Sequence, residues 1–458
     1  MAGLASRQRH GAPPPCPSAL SVVQKNVQKT NVAIIGLGTV GSGVAKILID
    51  HGDRTQRHAG RTLWLKTAVV RDPKKSRDYT PPDSVLLTDS VDEVANDPQI
   101  DLVCELIGGV DRAKQVVLQL LAAGKDVVTA NKALLAEHGP ELFDKARELG
   151  RSIAFEASVA GGIPIISALS TCLTGNQVTS LHGILNGTSN FILDKMHTDG
   201  ASYEDVVAEA QRLGYAEADP AMDVDGTDAA QKLAILCQLA FGARIDWRDI
   251  PRSGIDTVDL LDVQYAQEMG YRIKLLAVAD VKDGKLDCEV NPTLVKAGTP
   301  LGEVAGPFNA VLVKGDAVGP LFFHGQGAGQ LPTASAVVAD LIDTAVGRTA
   351  LTFGSLNLWS KELQGAEQAD FAQSTGRRYV RTMVDDSPGV LAEITKAFGD
   401  EGISIASLLQ KEPLQGQSQI PLVIMTHAAS EAATDTACAK IAALPACKSA
   451  PVKMWVRD

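Results

Sequence analysis

Apolar and polar positions follow two different periods in the first third of the chain. A short apolar run at residues 32–35 is followed by apolar residues at helical spacing as far as Leu48. Runs typical of buried strands recur at 63–70, 101–107 and 126–130, with a helical pattern at 111–123. This alternation predicts strand–helix–strand units, and therefore a doubly wound α/β domain with a parallel sheet.

A glycine-rich turn joins the first predicted strand to the first predicted helix. It contains Gly36, Gly38, Thr39, Val40 and Gly41, which match the G-x-G-x-x-G fingerprint in the strand–turn–helix context that this motif requires. The first glycine permits the tight turn, the second lets the backbone approach a pyrophosphate, and the third allows helix and strand to pack closely. The sequence therefore predicts a Rossmann-type dinucleotide-binding domain, with phosphate at the helix N-terminus.

The residues after the second predicted strand bear on the choice between NADP and NAD. Arg71 comes first, and it is followed by Asp72, Lys74 and Lys75. An arginine at this strand end suits the 2′-phosphate of NADP, whereas a carboxylate would accept the ribose hydroxyls of NAD. We therefore expect NADP, with NAD as the alternative through Asp72.

An acidic segment at 214–232 ends in a single lysine. Asp228 and Lys232 are four residues apart and would share one face of a helix. Two interpretations are open: an ordinary surface ion pair, which is common at this spacing, or part of a reactive site. A second lysine, Lys132, follows the predicted strand at 126–130, and ligands of doubly wound sheets bind at the carboxyl ends of the strands.

Two further turns could present backbone groups to a ligand. Glu156 precedes a glycine-rich stretch at 159–164, which could wrap a hard cation with one carboxylate and several carbonyls or could form a plain strand-to-helix turn. Gly327 lies in a second glycine-rich turn that opens a predicted helix at 332–342. We expect this helix to pack back toward the dinucleotide-binding domain.

The rest of the chain predicts two more structural units. Residues 255–325 alternate short β-like runs with Gly/Pro turns, which indicates an α+β domain on an open sheet. The C-terminal order βαββαβ predicts a separate ferredoxin-like unit, whose first helix is expected to have Ser387 as N-cap and Pro388 as first residue. The predicted boundaries are a disordered tail at 1–29, a dinucleotide-binding domain at 30–154, a substrate and dimerisation domain at 155–346, a linker at 347–375 and the ferredoxin-like unit at 376–458.

Composition excludes several classes of partner. The chain of 458 residues carries a net charge of −11 without a basic patch, which argues against nucleic acid. No apolar run approaches the roughly 18 residues that cross a membrane. The seven cysteines are scattered without CxxC spacing, which fits reduced thiols in the cytoplasm. The basic, acid-free segment 1–29 is interpreted as a plain extension, with a transit peptide as the alternative.

Six motifs in a fixed order carry a resemblance to a known family. They are GLGTVG at 36–41, TANKALLA at 129–136, FEASVAGGIP at 155–164, GILNGTSNFIL at 183–193, LGYAEADPAMDVDGTDAAQK at 213–232 and GQGAGQLPTASA at 325–336. With DDSPGVLAEITKAFGDEGISI near the C-terminus, the chain resembles the monofunctional homoserine dehydrogenases with a C-terminal ACT domain, from residue 31 to 458. Those enzymes interconvert aspartate 4-semialdehyde and homoserine with NAD(P), on the route to threonine, isoleucine and methionine.

The resemblance implies roles for particular residues. Lys232 would be the proton donor, and Lys132 would lie close to both cofactor and substrate. A monovalent cation, Na⁺, would have a structural role. The residues implied for binding are Glu217, Asp228, Asp223, Thr188, Gly187 and Tyr215 for the substrate, Gly327 for the cofactor, and the side chain of Glu156 with the carbonyls of Val159, Gly161 and Ile163 for the cation.

The resemblance also leaves alternatives open. ACT domains pair with a second copy and bind amino acids, so we expect a homodimer or homotetramer and threonine as an effector. Ser404 stands where many effector-binding ACT domains have asparagine, so a purely dimerising role is the alternative. A second alternative is an inactive amino-acid sensor on the same fold, which the presence of Lys132, Asp228 and Lys232 argues against.

Overall fold

The computed structural model describes residues 28–75, 77, 79–360, 365–411 and 419–458, so residues 1–27 of the predicted tail lie outside the described residues. The N-terminal part forms a six-stranded sheet in the order β3-β2-β1-β4-β5-β6, and every neighbouring pair of strands is parallel. The strands are β1 (Lys29–Ile35), β2 (Thr62–Val69), β3 (Leu86–Thr88), β4 (Ile100–Glu105), β5 (Asp126–Thr129) and β6 (Ile153–Ala154).

Helices cover this parallel sheet, as the hydrophobic pattern predicts. They are α1 (Thr39–Asp50), α2 (Gly52–Ala59), α3 (Val91–Ala95), α4 (Asp111–Ala122) and α5 (Lys132–Glu148). The helix α4, for example, buries Ala113, Val116, Val117, Leu120 and Leu121, which form one stripe at helical spacing. The strand order reverses direction at β1, between β2 and β4, and this reversal creates the crevice where dinucleotides bind in such sheets. The predicted Rossmann-type fold is confirmed.

A second sheet of eleven strands runs through the rest of the described chain. Its main path is β11-β10-β7-β8-β9-β17-β13-β15-β14, with β12 paired to β9 and β16 to β13. The strands are β7 (Val178–Ile184), β8 (Tyr271–Lys282), β9 (Lys285–Lys296), β10 (Phe308–Gly315), β11 (Gly319–Gln326), β12 (Glu367–Gln368), β13 (Thr375–Asp385), β14 (Ile405–Gln410), β15 (Gln419–Thr426), β16 (Ala429–Ser430) and β17 (Val452–Arg457).

The predicted C-terminal unit is therefore not separate from the preceding domain. The last strand, β17, pairs in parallel with β9, so that Trp455 lies beside Thr293 and Arg457 beside Val295. The other edge of β17 pairs with β13 of the βαββαβ unit. Local sequence pattern could not show this, because it identifies a strand but not which distant strand will satisfy its free edge.

The described chain has ten further helices after β6. They are α6 (Ile165–Ser167), α7 (Gly187–Asp199), α8 (Tyr203–Leu213), α9 (Ala221–Val224), α10 (Thr227–Phe241), α11 (Leu260–Glu268), α12 (Gln330–Ala345), α13 (Arg348–Leu356), α14 (Val390–Asp400) and α15 (Glu431–Ala442). Helix α12 contacts helices and strands of the six-stranded sheet region. It packs on α1 so closely that a Cβ at Gly43 would lie 2.9 Å from the Cβ of Ala334.

Two local predictions are wrong. The predicted linker at 347–375 contains helix α13, which is held by tertiary packing: the ring of Phe353 stacks on Phe143 with centroids 5.2 Å apart. Ser387 is not the N-cap of α14, because Gly389, at a φ of +98°, occupies that position and the helix starts at Val390. Pro388 therefore lies before the helix rather than in its first turn.

No helix of the described residues has the length and apolar character needed to cross a membrane.

Candidate active site

The pair Asp228 and Lys232 lies on α10 and is buried. The helix starts at Thr227, after Gly226 turns the chain at a φ of +84°, so Asp228 stands in its first turn and Lys232 one turn later. The Nζ atom of Lys232 lies 2.8 Å from Oδ2 of Asp228, and the two side chains are 12% and 7% exposed. The interpretation as an ordinary surface pair is therefore wrong, since such pairs are solvated on both partners.

A lysine from the other domain completes this cluster. Asn131 caps the start of α5 by accepting from the N–H of Leu134, which places Lys132 as the first residue of the helix. Its Nζ atom lies 2.9 Å from Oδ1 of Asp228. One buried carboxylate thus bridges a lysine of the dinucleotide-binding domain and a lysine of the second domain. The site lies where the two domains meet.

Charge within the cluster fixes its protonation. Burial pushes the pKa of Asp228 upward, but the adjacent Lys232 and Lys132 outweigh it and hold that pKa well below its usual range. The charge of Asp228 raises the pKa of Lys132 above its ordinary value in spite of burial, and Asp223 and Glu217 act in the same direction. The carboxylate is therefore ionised and Lys132 is an ammonium near neutral pH.

Lys232 is aimed by a second acceptor. Its Nζ donates to the carbonyl oxygen of Leu185 at 2.7 Å as well as to Asp228. The same carbonyl accepts from Nδ2 of Asn309 at 3.0 Å. Two fixed acceptors restrict a side chain that would otherwise be flexible, so the position of its proton is defined.

The remaining predicted substrate residues surround this cluster to different degrees. Asp223, on α9, accepts a hydrogen bond from Nδ2 of Asn186 at 2.7 Å. Thr188 donates to the carbonyl oxygen of Tyr215 at 2.7 Å, which ties the start of α7 to the acidic segment. Gly187 lets the start of α7 pack closely on the backbone at Pro307, because a Cβ on Gly187 would lie 2.6 Å from the carbonyl oxygen of Pro307.

Glu217 stands apart from the other acids. Its side chain is exposed, and its negative charge raises the pKa of Lys132. Tyr215 is also 45% exposed, with its ring 4.9 Å from that of Phe191. These two side chains are the exposed members of the predicted substrate set.

The glycine fingerprint has the geometry that a pyrophosphate needs. Gly36 has a φ of +102°, and a Cβ on Gly41 would lie 1.9 Å from its carbonyl oxygen, so both positions require glycine. A Cβ on Gly38 would meet no atom within 4 Å, because this residue faces the open crevice. Thr39 and Val40 follow in the first turn of α1, whose free N–H groups point at the same space.

A cavity of about 410 Å³ adjoins the fingerprint. Its wall includes Gly36, Gly38 and four basic side chains: Arg71, Lys75, Arg77 and Arg112. The neighbouring Asp72 is engaged within its own turn, because its Oδ1 accepts from the N–H of Lys74 at 2.9 Å. Sequence reasoning found Arg71 but missed Arg77 and Arg112, since nothing in a local pattern shows that Arg112, at the start of α4, faces the same cavity.

Gly327 lies between β11 and α12 at a point of very close packing. A Cβ there would lie 2.1 Å from the side chain of Asn309, the residue that shares the Leu185 carbonyl with Lys232. The turn with Gly327 therefore packs directly on Asn309, next to the carbonyl that Lys232 contacts.

The predicted cation ligands lie on one buried turn between the domains. Both carboxylate oxygens of Glu156 accept hydrogen bonds from the start of α6, at 2.9 Å from the N–H of Ile166 and 2.8 Å from that of Ser167. Burial raises the pKa of Glu156. The chain then turns at Ala160, with a φ of +50°, through Val159, Gly161 and Ile163. Carboxylate and carbonyl oxygens are the ligand types that a hard cation takes, although the carbonyl of Ile163 already accepts from the N–H of Ile165 at 2.8 Å.

Sequence reasoning missed two residues of the site. Asn186 contacts both Asp223 and Asp228, and its signal was present: an asparagine three residues before Ser189 is a typical N-cap arrangement. Asn309 carried no local signal, because it stands within β10 and is brought to Leu185 only by the sheet.

The glycine fingerprint with its cavity and the buried Asp228 cluster together indicate a class of protein. A dinucleotide crevice in the same molecule as two lysines on one buried carboxylate is typical of an NAD(P)-dependent oxidoreductase.

Comparison with known proteins gives the particular family. Family models match for the homoserine dehydrogenase NAD-binding domain at residues 36–156, homoserine dehydrogenase at 164–342 and the ACT domain at 378–446. A homoserine dehydrogenase of Pseudomonas aeruginosa is 41% identical over 442 residues, which cover 94% of this chain and 100% of that protein. The chain belongs to the homoserine dehydrogenase family and is an oxidoreductase with a C-terminal ACT domain.

Solved structures agree with this assignment. The crystal structure of a homoserine dehydrogenase from Thiobacillus denitrificans is 42% identical, with a TM-score of 0.88, covering 94% of this chain and 99% of that one. A hyperthermophilic archaeal homoserine dehydrogenase in complex with NADPH is 28% identical, with a TM-score of 0.57, covering 69% of this chain and 97% of that one.

Proposed function

We propose that this homoserine dehydrogenase reduces aspartate 4-semialdehyde with NADPH and uses Lys232 as the proton donor. The observation that carries the proposal is the buried carboxylate of Asp228 between Lys132 and Lys232. It keeps Lys132 charged beside the crevice and fixes the Nζ atom of Lys232. A sensor without turnover would have no use for two lysines held in this way.

The reaction needs one hydride and one proton. Bound NADPH would supply the hydride to the aldehyde carbon, and the developing alkoxide would then take a proton from Nζ of Lys232 to give the alcohol. The nearby ammonium of Lys132 stabilises the negative charge that develops on this oxygen. Lys232 recovers its proton from solvent in the next cycle. In the oxidation direction the same lysine removes the proton of the hydroxyl.

The substrate also carries an ammonium and a carboxylate group. Both oxygens of Asp228 are already engaged by lysines, so we assign that residue to orienting them rather than to holding the substrate ammonium. We assign the ammonium to Asp223, whose Oδ1 accepts from Asn186, and to the exposed Glu217. Thr188 and Gly187, at the start of α7, and Tyr215 complete the proposed pocket.

The cofactor is proposed to be NADP rather than NAD. Four basic side chains of the 410 Å³ cavity, with Arg71 at the end of β2, suit a 2′-phosphate. Asp72, the residue that would favour NAD, is occupied by its own turn. The archaeal relative whose structure contains NADPH supports the same choice.

The experiment that tests the function follows NADPH oxidation at 340 nm with aspartate 4-semialdehyde. We expect turnover by the wild type and a loss of about 1000-fold in kcat for Lys232→Ala, since a positioned acid contributes about 10²–10⁴-fold. The matched control is Lys195→Ala, which removes a partly exposed lysine paired four residues away with Asp199 at 2.9 Å. Equal activity of the two variants would exclude Lys232 as the donor, and no turnover by the wild type would favour the sensor.

A second measurement tests the cofactor preference. Arg71→Ala should raise KM for NADPH about 10-fold or more while changing KM for NADH by less than about 3-fold, because only NADPH has the phosphate that arginine binds. Arg57→Ala on α2, which removes an exposed arginine of the same domain, is the control. A wild type that prefers NADH would contradict the proposal directly.

Three further assignments are proposed from the family relationship. The turn with Glu156 binds a monovalent cation, Na⁺, in a structural role. The ACT domain binds threonine as an effector, and the protein assembles as a homodimer or homotetramer. We place it in the cytoplasm, in keeping with the six free thiols among the described cysteines. Calorimetry with threonine and light scattering would test the effector and the assembly.

A further inference from the structure

Asn186 occupies an unusual position between the two acids of the site. It joins β7 to α7, is 5% exposed, and caps the helix by accepting from the N–H of Ser189 at 2.8 Å. Its amide nitrogen donates at 2.7 Å to Oδ1 of Asp223 and at 2.9 Å to Oδ2 of Asp228. Both N–H donors of this amide are therefore directed at the acids.

The oxygen that Asn186 contacts on Asp228 is the one that pairs with Lys232. Oδ2 accepts from Asn186 and from Nζ of Lys232 at 2.8 Å, whereas Oδ1 accepts from Lys132. When Lys232 transfers its proton it ceases to be a cation, and the attraction that holds Oδ2 weakens. The neutral amide of Asn186 does not change charge during the reaction, so it continues to hold the carboxylate in place.

We infer that Asn186 is a positioning residue that holds Asp223 and Asp228 side by side through one amide group and so keeps Lys232 aligned through the catalytic cycle. This inference rests on the proposed function of Lys232. An amide is suited to the position because it donates to both acids without adding charge. The charged groups that face one another here are Lys132 from α5, Lys232 and Asp228 from α10 and Asp223 from α9, and the exposed Glu217 also acts on Lys132.

Replacement of the amide by a carboxylate separates positioning from helix capping. Asn186→Asp keeps the length of the side chain and an oxygen that caps α7, but it donates no hydrogen bond and adds a third negative charge. Aspartate and serine are both good N-cap residues, so a side chain needed only as a cap would tolerate either. Asn186→Ser is therefore the second variant, and it adds no charge.

The pH profile distinguishes the two roles. Burial and the charge of Asp228 already raise the pKa of Asp223, while the hydrogen bond from Asn186 opposes that rise. In Asn186→Asp the opposing donor is lost and a negative charge is added, so Asp223 should take up a proton at higher pH than in the wild type. The acid limb of kcat/KM should move up by about one pH unit, because it then reports an acid that protonates more readily.

The experiment measures kcat, KM, pH profiles and thermal unfolding of the full chain. For Asn186→Asp we expect a fall in kcat on the order of 100-fold, in keeping with the loss of hydrogen bonds to charged groups, and for Asn186→Ser a fall of about 10-fold without the shift of the acid limb. The double variant Asn186→Asp with Asp223→Asn exchanges the amide and the carboxylate between the two positions, so the number of negative charges is that of the wild type. It should recover about 10-fold of the lost kcat. Ser202→Ala, which removes the cap of α8, is the control for capping alone.

Kinetic constants of both single variants within about 3-fold of the wild type, with an unchanged pH profile, would overturn the inference and leave Asn186 as a cap. If Asn186→Asp does not fold, the kcat of Asn186→Ser decides alone. Failure of the proposed function is distinguishable, because it would appear as an active Lys232→Ala variant whatever the Asn186 variants do.

Discussion

Asp228 and Asp262 are buried carboxylates that each pair with a cation from a distant part of the chain, and they differ in which kind of cation they bind. Asp228 accepts from Lys132 and Lys232. Asp262, on α11, is fully buried and accepts from Arg381 of β13 at both oxygens, at 2.5 and 2.8 Å. The first cluster connects the two domains at the crevice, and the second connects the catalytic domain to the βαββαβ unit.

The difference between lysine and arginine explains the difference in role. Arginine keeps its charge at any pH that the protein meets and holds a carboxylate in a rigid, two-pronged geometry, whereas lysine binds as a single point charge and can lose its proton. At Asp262 the hydroxyl of Tyr379 also donates, at 2.8 Å, and leaves no opening for a ligand. One cluster is therefore able to transfer a proton, and the other can only hold two parts of the protein together.

Replacing lysine by arginine in the first cluster, and arginine by lysine in the second, should have the largest effect. Lys232→Arg keeps the charge next to Asp228 but removes the transferable proton, so we expect kcat to fall about 1000-fold while thermal stability changes little. The reciprocal change, Arg381→Lys, should lower stability and leave kcat within about 3-fold of the wild type. Steady-state assays and thermal unfolding of both variants make the comparison, and substantial activity in Lys232→Arg would show that the proton comes from elsewhere.

Removal of the arginine gives the next largest effect. Arg381→Met leaves the charge of Asp262 buried without its partner, which costs about 3–5 kcal/mol of the free energy of unfolding. The control is Arg377→Met on the same strand, which breaks a solvated pair with Asp458 at 2.6 Å and should cost less than about 1 kcal/mol. Urea unfolding measures both, and similar costs for the two variants would mean that the buried pair does not stabilise the junction.

The smallest effect concerns the pH dependence of stability at the same junction. Burial raises the pKa of Glu289, on β9, to about 7, although Arg457 of β17 lies 2.9 Å away and opposes this rise. The unfolded chain ionises this group near pH 4.3, so the folded state binds more protons between about pH 4.3 and 7, and the free energy of unfolding falls as pH rises across that window.

Glu289→Gln should remove about 1–3 kcal/mol of this fall, because glutamine does not ionise. Urea unfolding at pH 5 and pH 7.5 gives the difference for wild type and variant. Glu148→Gln, which replaces an exposed glutamate paired with Lys145, should leave the pH dependence unchanged. An identical fall in wild type and Glu289→Gln would assign the pH dependence to another group.

Much of the fold was predictable because its signals are local. The elements of the first domain that were predicted from hydrophobic period and glycine positions are present, and their observed bounds differ from the predicted ones by at most three residues. Helix α13 was missed because it is stabilised by the contact between Phe353 and Phe143, which are far apart in the sequence. The start of α14 was misplaced because Ser387 and Gly389 both suit a helix start, and only the backbone conformation distinguishes them.

The sequence by itself determined the dinucleotide fold, the chemical types in the site and the placement of Asp228 and Lys232 on one face, since each depends on spacings of a few residues. The tertiary structure decided that Lys132, almost a hundred residues earlier, meets the same carboxylate, and that Asn186 bridges two acids. It also decided that β17 joins the strands of the catalytic domain and those of the βαββαβ unit into one eleven-stranded sheet. The physical reason is that spacing along a helix is set by local geometry, whereas the partner of a buried charge or a free strand edge is set by whichever distant group satisfies it.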